Sequence, residues 1–224
     1  MSSFMYNLAH SATPLVLASI GALFTELAGV LGIFLEGFMN MGAFFSWILA
    51  VKTGSMITGT LVCALAAALC GWALARFVRK TGANPFIAGL AVNIAAGGIT
   101  DTLSTIWFGT KGVIRGQAPP VYFPDVYTSW FVVAAAAFVI GYTPWGLRLR
   151  ASGLAPQAAL ERGIRPGAYW DAAWAVAAFL AAVAGASISQ HVGAYTPGGV
   201  AGRGWMGLAA VYLGFRSPGG VFIA

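Results

Sequence analysis

Long apolar stretches separated by short clusters of arginine and lysine run through this chain, and they leave few ways for it to fold. Only 8% of its 224 residues are charged, and 59% are apolar. Soluble domains carry about 25% charged residues. Twelve basic and six acidic side chains could not cover the surface of a water-soluble body this large. A bilayer removes the difficulty, because lipid then solvates the outside. The apolar stretches are continuous rather than alternating in segments of about 10 residues, which excludes a β-barrel. The remaining class is all-α, a polytopic transmembrane helical bundle. At about 20 residues per crossing, a single domain over 1–224 has room for about six or seven spans.

The net charge of +6 does not point to nucleic acid. Its cations sit between apolar stretches, where they act as topology signals, and form no continuous basic face. Cys63 and Cys70 stand seven positions apart in one apolar stretch. That places them about 10 Å apart along a helix, too far for a disulfide. They are expected to be packing residues.

The first apolar segment runs from about Thr13 to Leu27 and has no basic residues ahead of it, so it is expected to be retained rather than cleaved. A glycine-punctuated stretch from Ala28 to Gly37 follows, and apolar character resumes through Val51. The reading is two short spans with an irregular middle, the kind of broken element tolerated where it lines a cavity or is buried in protein. Further spans are expected over Ser55–Phe77, from Pro85 to about Phe108, over Val126–Tyr142 and over Tyr169–Ser189. The stretch Gly109–Asp125 reads as a loop, His191–Gly204 as glycine-rich, and Trp205–Ala224 as apolar with Arg216-Ser217-Pro218 in its middle. Arg76, Arg79 and Lys80 form one basic cluster; Arg148, Arg150, Arg162 and Arg165 form the other. Two spans and one loop separate them, so both fall on one side, the cytoplasmic one by the positive-inside rule. The N-terminus then lies outside. Trp47, Trp107, Tyr122, Trp145 and Tyr169 fit an interfacial aromatic belt.

The most informative stretch is Gly146 to Ile164. Pro156 suits the first turn of a short helix, Gln157–Arg162 are good helix formers, and Gly163 suits its C-terminal cap. Such a helix is either an interfacial element held on lipid head groups by arginines or a docking element for a partner.

The same residues, Gly146-Leu147-Arg148 through Ala158-Ala159 to Gly163-Ile164, resemble the coupling helix of permeases in ribose-type, nucleoside-type and branched-chain amino acid ABC importers. Ala155 stands where that pattern has asparagine, so a helix cap is lost. Three other stretches resemble the same family, in order. They are Thr13-Pro14-Leu15 through Glu36-Gly37, with Gly32 in place of asparagine; Gly82–Phe86 with Gly89, Leu90 and Asn93; and Ala201–Trp205 with Leu208–Val211 and Gly214. The agreement favours the nucleoside and simple-sugar branch. Members of the family continue for about two more spans, so the chain is expected to be incomplete at its C-terminus.

The resemblance implies a permease that moves a nucleoside, a simple sugar or a related molecule such as a flavin across a bacterial-type inner membrane. It implies a cytoplasmic ATP-binding subunit, a second permease chain and an extracytoplasmic solute-binding protein as partners, besides lipid. Gly153, Pro156, Ala159, Glu161, Arg162, Gly163 and Ile164 would meet the ATPase. Glu36, Asn40, Asn93 and Arg203 are the candidates for the translocation path. Each has a plainer alternative: Glu36 as an anchor for a helix N-terminus, Asn93 as an interhelical hydrogen bond, Arg203 as a topology charge. No P-loop, catalytic triad or paired carboxylate is present, so ATP hydrolysis is assigned to another chain, and no cofactor or metal is expected. A branched-chain amino acid permease and a non-transporting scaffold or channel subunit remain the alternatives.

Overall fold

The computed structural model describes residues 2–116 and 126–224. It is helical almost throughout. The long elements are α1 (Ser2–Leu27), α2 (Leu35–Thr53), α3 (Met56–Thr81) and α4 (Pro85–Phe108). After a two-residue strand β1 (Ile114–Arg115) come α5 (Val126–Tyr142), α6 (Pro144–Leu154) and α7 (Pro156–Glu161). The chain then runs through α8 (Pro166–Val192), strand β2 (Ala194–Tyr195), α9 (Arg203–Leu213) and α10 (Pro218–Ile223). β1 and β2 pair antiparallel, Ile114 with Tyr195, and tie the ends of the bundle's loops together. The second half of the expected loop Gly109–Asp125, including Tyr122 of the expected aromatic belt, lies outside the described residues.

Among the described residues four helices are long and apolar enough to cross a membrane: Leu8–Leu27, Met56–Thr81, Pro85–Phe108 and Pro166–Val192. A fifth would be the pair Trp130–Tyr142 and Pro144–Leu154, bent by 73° where Pro144 follows Thr143. The expected six or seven is therefore too many. The expected pair of short N-terminal spans is also corrected. The break at 28–34 is real, but α1 ahead of it is a full-length helix, because Asn7, His10 and Ser11 do not interrupt it. The second half, α2, is among the best-buried helices of the bundle, yet with Glu36, Asn40 and Lys52 it is too polar to count as a span. At the far end α9 is only 11 residues long, about 16 Å at 1.5 Å per residue, and cannot cross alone.

Backbones rather than large side chains set the packing at the centre. A methyl group added at Gly42 of α2 would come within 2.6 Å of the Cα of Ala182 on α8. One added at Gly185 of α8 would collide with the carbonyl of Met39. Gly21 of α1 and Gly71 of α3 meet α8 in the same way, against Ala177 and against Trp174 and Ala178. Small residues permit this close approach where lipid supplies no hydrophobic drive between helices. The result is α8 as a central pillar, buried along most of its length, with α1, α2 and α3 around it. By contrast α4 keeps Phe86, Ile87, Ile94 and Ile106 exposed, an apolar flank suited to lipid or another membrane chain. Trp47, expected in the aromatic belt, is instead fully buried against Phe44 and Tyr195; Trp107 is exposed as expected.

Candidate functional site

Two places gather the residues singled out in the sequence. The first is deep in the bundle, where two interrupted elements meet. The turn after β2 carries the chain through Gly198 and Gly202, both at positive φ, and α9 begins at Arg203. The Glu36 carboxylate, in the first turn of α2, accepts hydrogen bonds from the backbone N–H of Gly202 at 2.8 Å and of Gly204 at 2.7 Å. It thereby satisfies orphan donors at the start of α9 and meets the positive end of that helix. Gly204 has to be glycine here, since a Cβ would lie 2.6 Å from the backbone nitrogen of Glu36.

The depth of this junction follows from its neighbours. Gly207 of α9 packs on Ala18 and Ser19 of α1, and Tyr212 reaches Glu26 near the end of α1. Gly204 therefore lies roughly 15 Å from that end, at 1.5 Å per residue, about half of a 30 Å hydrocarbon core.

Asn93 of α4 closes the other side of the junction. Its Oδ1 accepts from the N–H of Gly37 at 2.7 Å, and its Nδ2 donates to the carbonyl of Ile33 at 2.8 Å. One amide thus spans the entry of α2 from a neighbouring helix. Asn40, one turn further along α2, donates to the Thr100 hydroxyl at 3.1 Å and accepts from the Tyr195 hydroxyl at 3.3 Å. Burial pushes the Tyr195 phenol above its ordinary pKa, so it stays a neutral donor. The Arg203 guanidinium donates back to the carbonyls of Gly199 at 2.7 Å and Val200 at 3.3 Å, and lines a cavity of about 170 Å³ with Ser189 and Thr196. Glu36, Asn40, Asn93 and Arg203 thus lie along one polar layer, each half-buried and each already engaged. Elsewhere the Gln190 amide donates to the Thr60 hydroxyl at 2.7 Å and joins α8 to α3. Sequence reasoning passed over Gln190 and Thr60, because each is an ordinary polar residue in an apolar run until the fold brings them together.

The second place is at the arginine-rich end. The side chain of Thr143 caps α6 by accepting from the N–H of Gly146 at 3.2 Å. Helix α7 starts at Pro156 with no side-chain cap, Ala155 having nothing to offer. It ends in paired bonds from the N–H of Ile164 to the carbonyl of Ala159 and from the N–H of Gly163 to that of Leu160, both 2.9 Å. With Gly163 at φ +75°, this is the Schellman arrangement. Only Ala159 of α7 is buried; Pro156, Glu161, Arg162 and Gly163 are exposed and Ile164 is half-buried. An open cleft of about 420 Å³ lies along the outer side of α6 and α7, beside Arg148, Ala151 and Arg162. Gly153, by contrast, faces inward. A Cβ placed on it would collide with the carbonyl of Leu27, and one placed on Gly29 would lie 2.9 Å from the Cα of Gly153. The element therefore leans, backbone on backbone, on the end of α1.

Two ion pairs missed in the sequence hold this end. Arg79 and Asp171 pair at 2.6 Å between α3 and α8, and Arg216 and Glu26 at 2.9 Å between the turn after α9 and α1. The partners of the first pair are 92 positions apart in the chain, so no local pattern announces them.

A bundle of apolar helices with interrupted elements meeting inside it, and a short exposed helix at its arginine-rich end, defines a polytopic helical membrane protein. The chain belongs to the branched-chain amino acid transport system / permease component family, whose model matches residues 4–224. It is similar to the nucleoside ABC transporter permease protein NupC of Lactococcus lactis subsp. cremoris, 28% identical over 97% of this chain and 77% of that protein. It is likewise 28% identical to the guanosine ABC transporter permease protein NupQ of Bacillus subtilis, over 92% of this chain and 73% of that one. No solved structure matches the chain. The protein is thus a multi-pass permease subunit of the ABC-transporter type.

Proposed function

We propose that this permease subunit imports a nucleoside or a related small polar solute, such as a simple sugar or a flavin, across the inner membrane of a bacterial-type cell. A separate cytoplasmic ATPase seats on α6 and α7, an extracytoplasmic protein delivers the solute, and a second permease chain completes the path. The observation that carries this reading is the backbone contact between Gly153 and the Leu27–Gly29 corner. A push on the exposed face of α7 reaches the end of α1 through that contact, and α1 leads directly into the 28–34 break and Glu36. Only a difference in how the ATPase states grip this helix can bias the bundle between outward and inward openings. The polar layer supports a solute that needs hydrogen bonds, and the kinship with nucleoside and guanosine permeases narrows its class.

Co-purification with the cognate ATPase tests the docking. Glu161→Arg combined with Gly163→Pro should abolish association while the chain elutes and melts like wild type in detergent. Undiminished association would reduce α7 to an interfacial helix. Competition of labelled guanosine uptake by unlabelled leucine separates the two branches of the family: strong competition would shift the substrate class to branched-chain amino acids.

A further inference from the structure

Beside α7, on the side away from the docking cleft, the ends of α3 and α8 enclose an open cavity of about 490 Å³ lined by Arg76, Arg79, Arg165 and Asp171, with Leu160 of α7 at its rim. Three guanidiniums and one carboxylate line it. Arg79 uses the carboxylate, with Nη2 2.6 Å from Oδ2 and Nε 3.2 Å from Oδ1 of Asp171. Among the described residues neither Arg76 nor Arg165 forms an ion pair. The 27-residue helix α8 also begins here and turns its positive end to the cavity. The cavity is therefore cationic beyond what Asp171 neutralises, and its donors suit a phosphate, which a guanidinium binds through two parallel hydrogen bonds.

A second feature narrows the source of that phosphate. Leu61, Leu65, Leu69 and Trp72 form one row along α3, 40%, 59%, 68% and 42% exposed, and the next residue of the row is Arg76. The Arg76 guanidinium lies over the Trp72 ring, 5.0 Å from its centroid. From Leu61 to Arg76 the row is about 22 Å long at 1.5 Å per residue, more than the roughly 15 Å of one leaflet. A free phosphate has no use for such a row, and an acidic protein segment would not follow it into hydrocarbon.

We propose that this is a binding site for an anionic phospholipid of the cytoplasmic leaflet. Its head-group phosphate sits between Arg76 and Arg165, and an acyl chain lies along Leu61, Leu65, Leu69 and Trp72. Basic pockets between membrane helices on the positive side favour such head groups. The lipid would fill the space between α3 and the rim of α7, opposite the face on which a partner docks.

Native mass spectrometry of the full-length chain, purified in detergent and delipidated, tests this. With equal phosphatidylglycerol and phosphatidylcholine added, retention of the anionic lipid should exceed the neutral one on the order of tenfold. Arg76→Ala with Arg165→Ala should erase the preference while elution and melting without lipid stay unchanged, since both side chains are exposed. The milder Leu69→Ala should weaken retention of both lipids by thinning the row. Equal retention of the two lipids, or an undiminished preference in the double variant, overturns the proposal. So does displacement of phosphatidylglycerol by millimolar inorganic phosphate, which would make the cavity a soluble-anion site. Disulfide formation between two Leu69→Cys copies would also overturn it, by placing the row between permease chains. None of these readouts involves the ATPase, so they stand apart from the docking test.

Discussion

Glu36 and Gly153 mark two regions where a break in the chain meets another element, and the two are secured differently. At the mid-depth junction the contacts are hydrogen bonds: the carboxylate of Glu36 holds two N–H groups of the 202–204 turn, and Asn93 holds both the carbonyl of Ile33 and the N–H of Gly37. At the arginine-rich end, Gly153 touches the corner at Leu27 and Gly29 through van der Waals contact, and among the described residues no hydrogen bond joins α6 or α7 to that corner. Directional bonds in a low-dielectric interior resist displacement, because every group pulled away is left unpaired. A contact surface can slide or part at far smaller cost. The junction is suited to be a fixed point, and the α6–α7 element to be the part that moves.

The largest effect should come from removing the fixed point. Glu36→Ala leaves the N–H groups of Gly202 and Gly204 without acceptors about halfway through the hydrocarbon. The loss is on the order of 3 kcal/mol, taking charge-assisted bonds at the usual strength and allowing for partial relaxation. Glu36→Gln keeps one acceptor oxygen and should lose about half as much. Thermal melting in detergent checks both. If the alanine variant melts with wild type, the junction is not held by this carboxylate.

A smaller cost in stability, with a larger one in function, should follow from Gly153→Ala. Its methyl would strike the Leu27 carbonyl, so α6 must back away from α1. Overpacking of this kind costs about 1–3 kcal/mol, and the low end applies where the element is mostly exposed. The ATPase should still bind, because its face on α7 is untouched. Solute uptake in vesicles should nevertheless fall far more than association, since the path from α7 to α1 has lengthened. Uptake and association that fall in parallel would show that Gly153 belongs to the docking surface and transmits nothing.

The sequence reaches these two regions unequally. Around α7 nearly everything is local: Pro156 opens the helix, Gly163 closes it, and the arginines mark its side of the membrane, so its limits could be read within a residue. Glu36 was expected as either a path residue or an anchor for a helix N-terminus, and its bonds to Gly202 and Gly204 are those of an anchor. What local patterns cannot supply is the partner. Asn40 with Tyr195, Gln190 with Thr60, and Arg79 with Asp171 are pairs made by topology, each separated by 92 positions or more. Span counting failed for a related reason. Hydropathy registers how apolar a window is, whereas α2 is packed into the bundle through Gly37 and Gly42 and has Glu36 and Asn40 engaged by neighbouring elements. A helix shielded by its neighbours need not look like a span.

The smallest effect distinguishes local cap strain from contact with a partner. Gly163 sits at φ +75° with no neighbour within 4 Å of where a Cβ would be, so substitution there meets no steric obstacle other than its own backbone. An L-residue in that conformation costs about 1–2 kcal/mol, and asparagine less than alanine. In an isolated permease most of this stays within α7, whose only buried residue is Ala159, and the melting temperature of the bundle should barely move. The strain should appear instead when the ATPase requires the helix in its folded form. Gly163→Ala should then weaken association by a few-fold to about tenfold, as 1.4 kcal/mol is a factor of ten in affinity, and Gly163→Asn by less. Titration of detergent-solubilised permease variants against the ATPase gives the ranking. If alanine and asparagine weaken binding equally, side-chain bulk against the partner matters more than backbone strain, and Gly163 is a contact residue. If the melting temperature drops with affinity, α7 is part of the rigid bundle, and the division into a fixed junction and a moving element no longer holds.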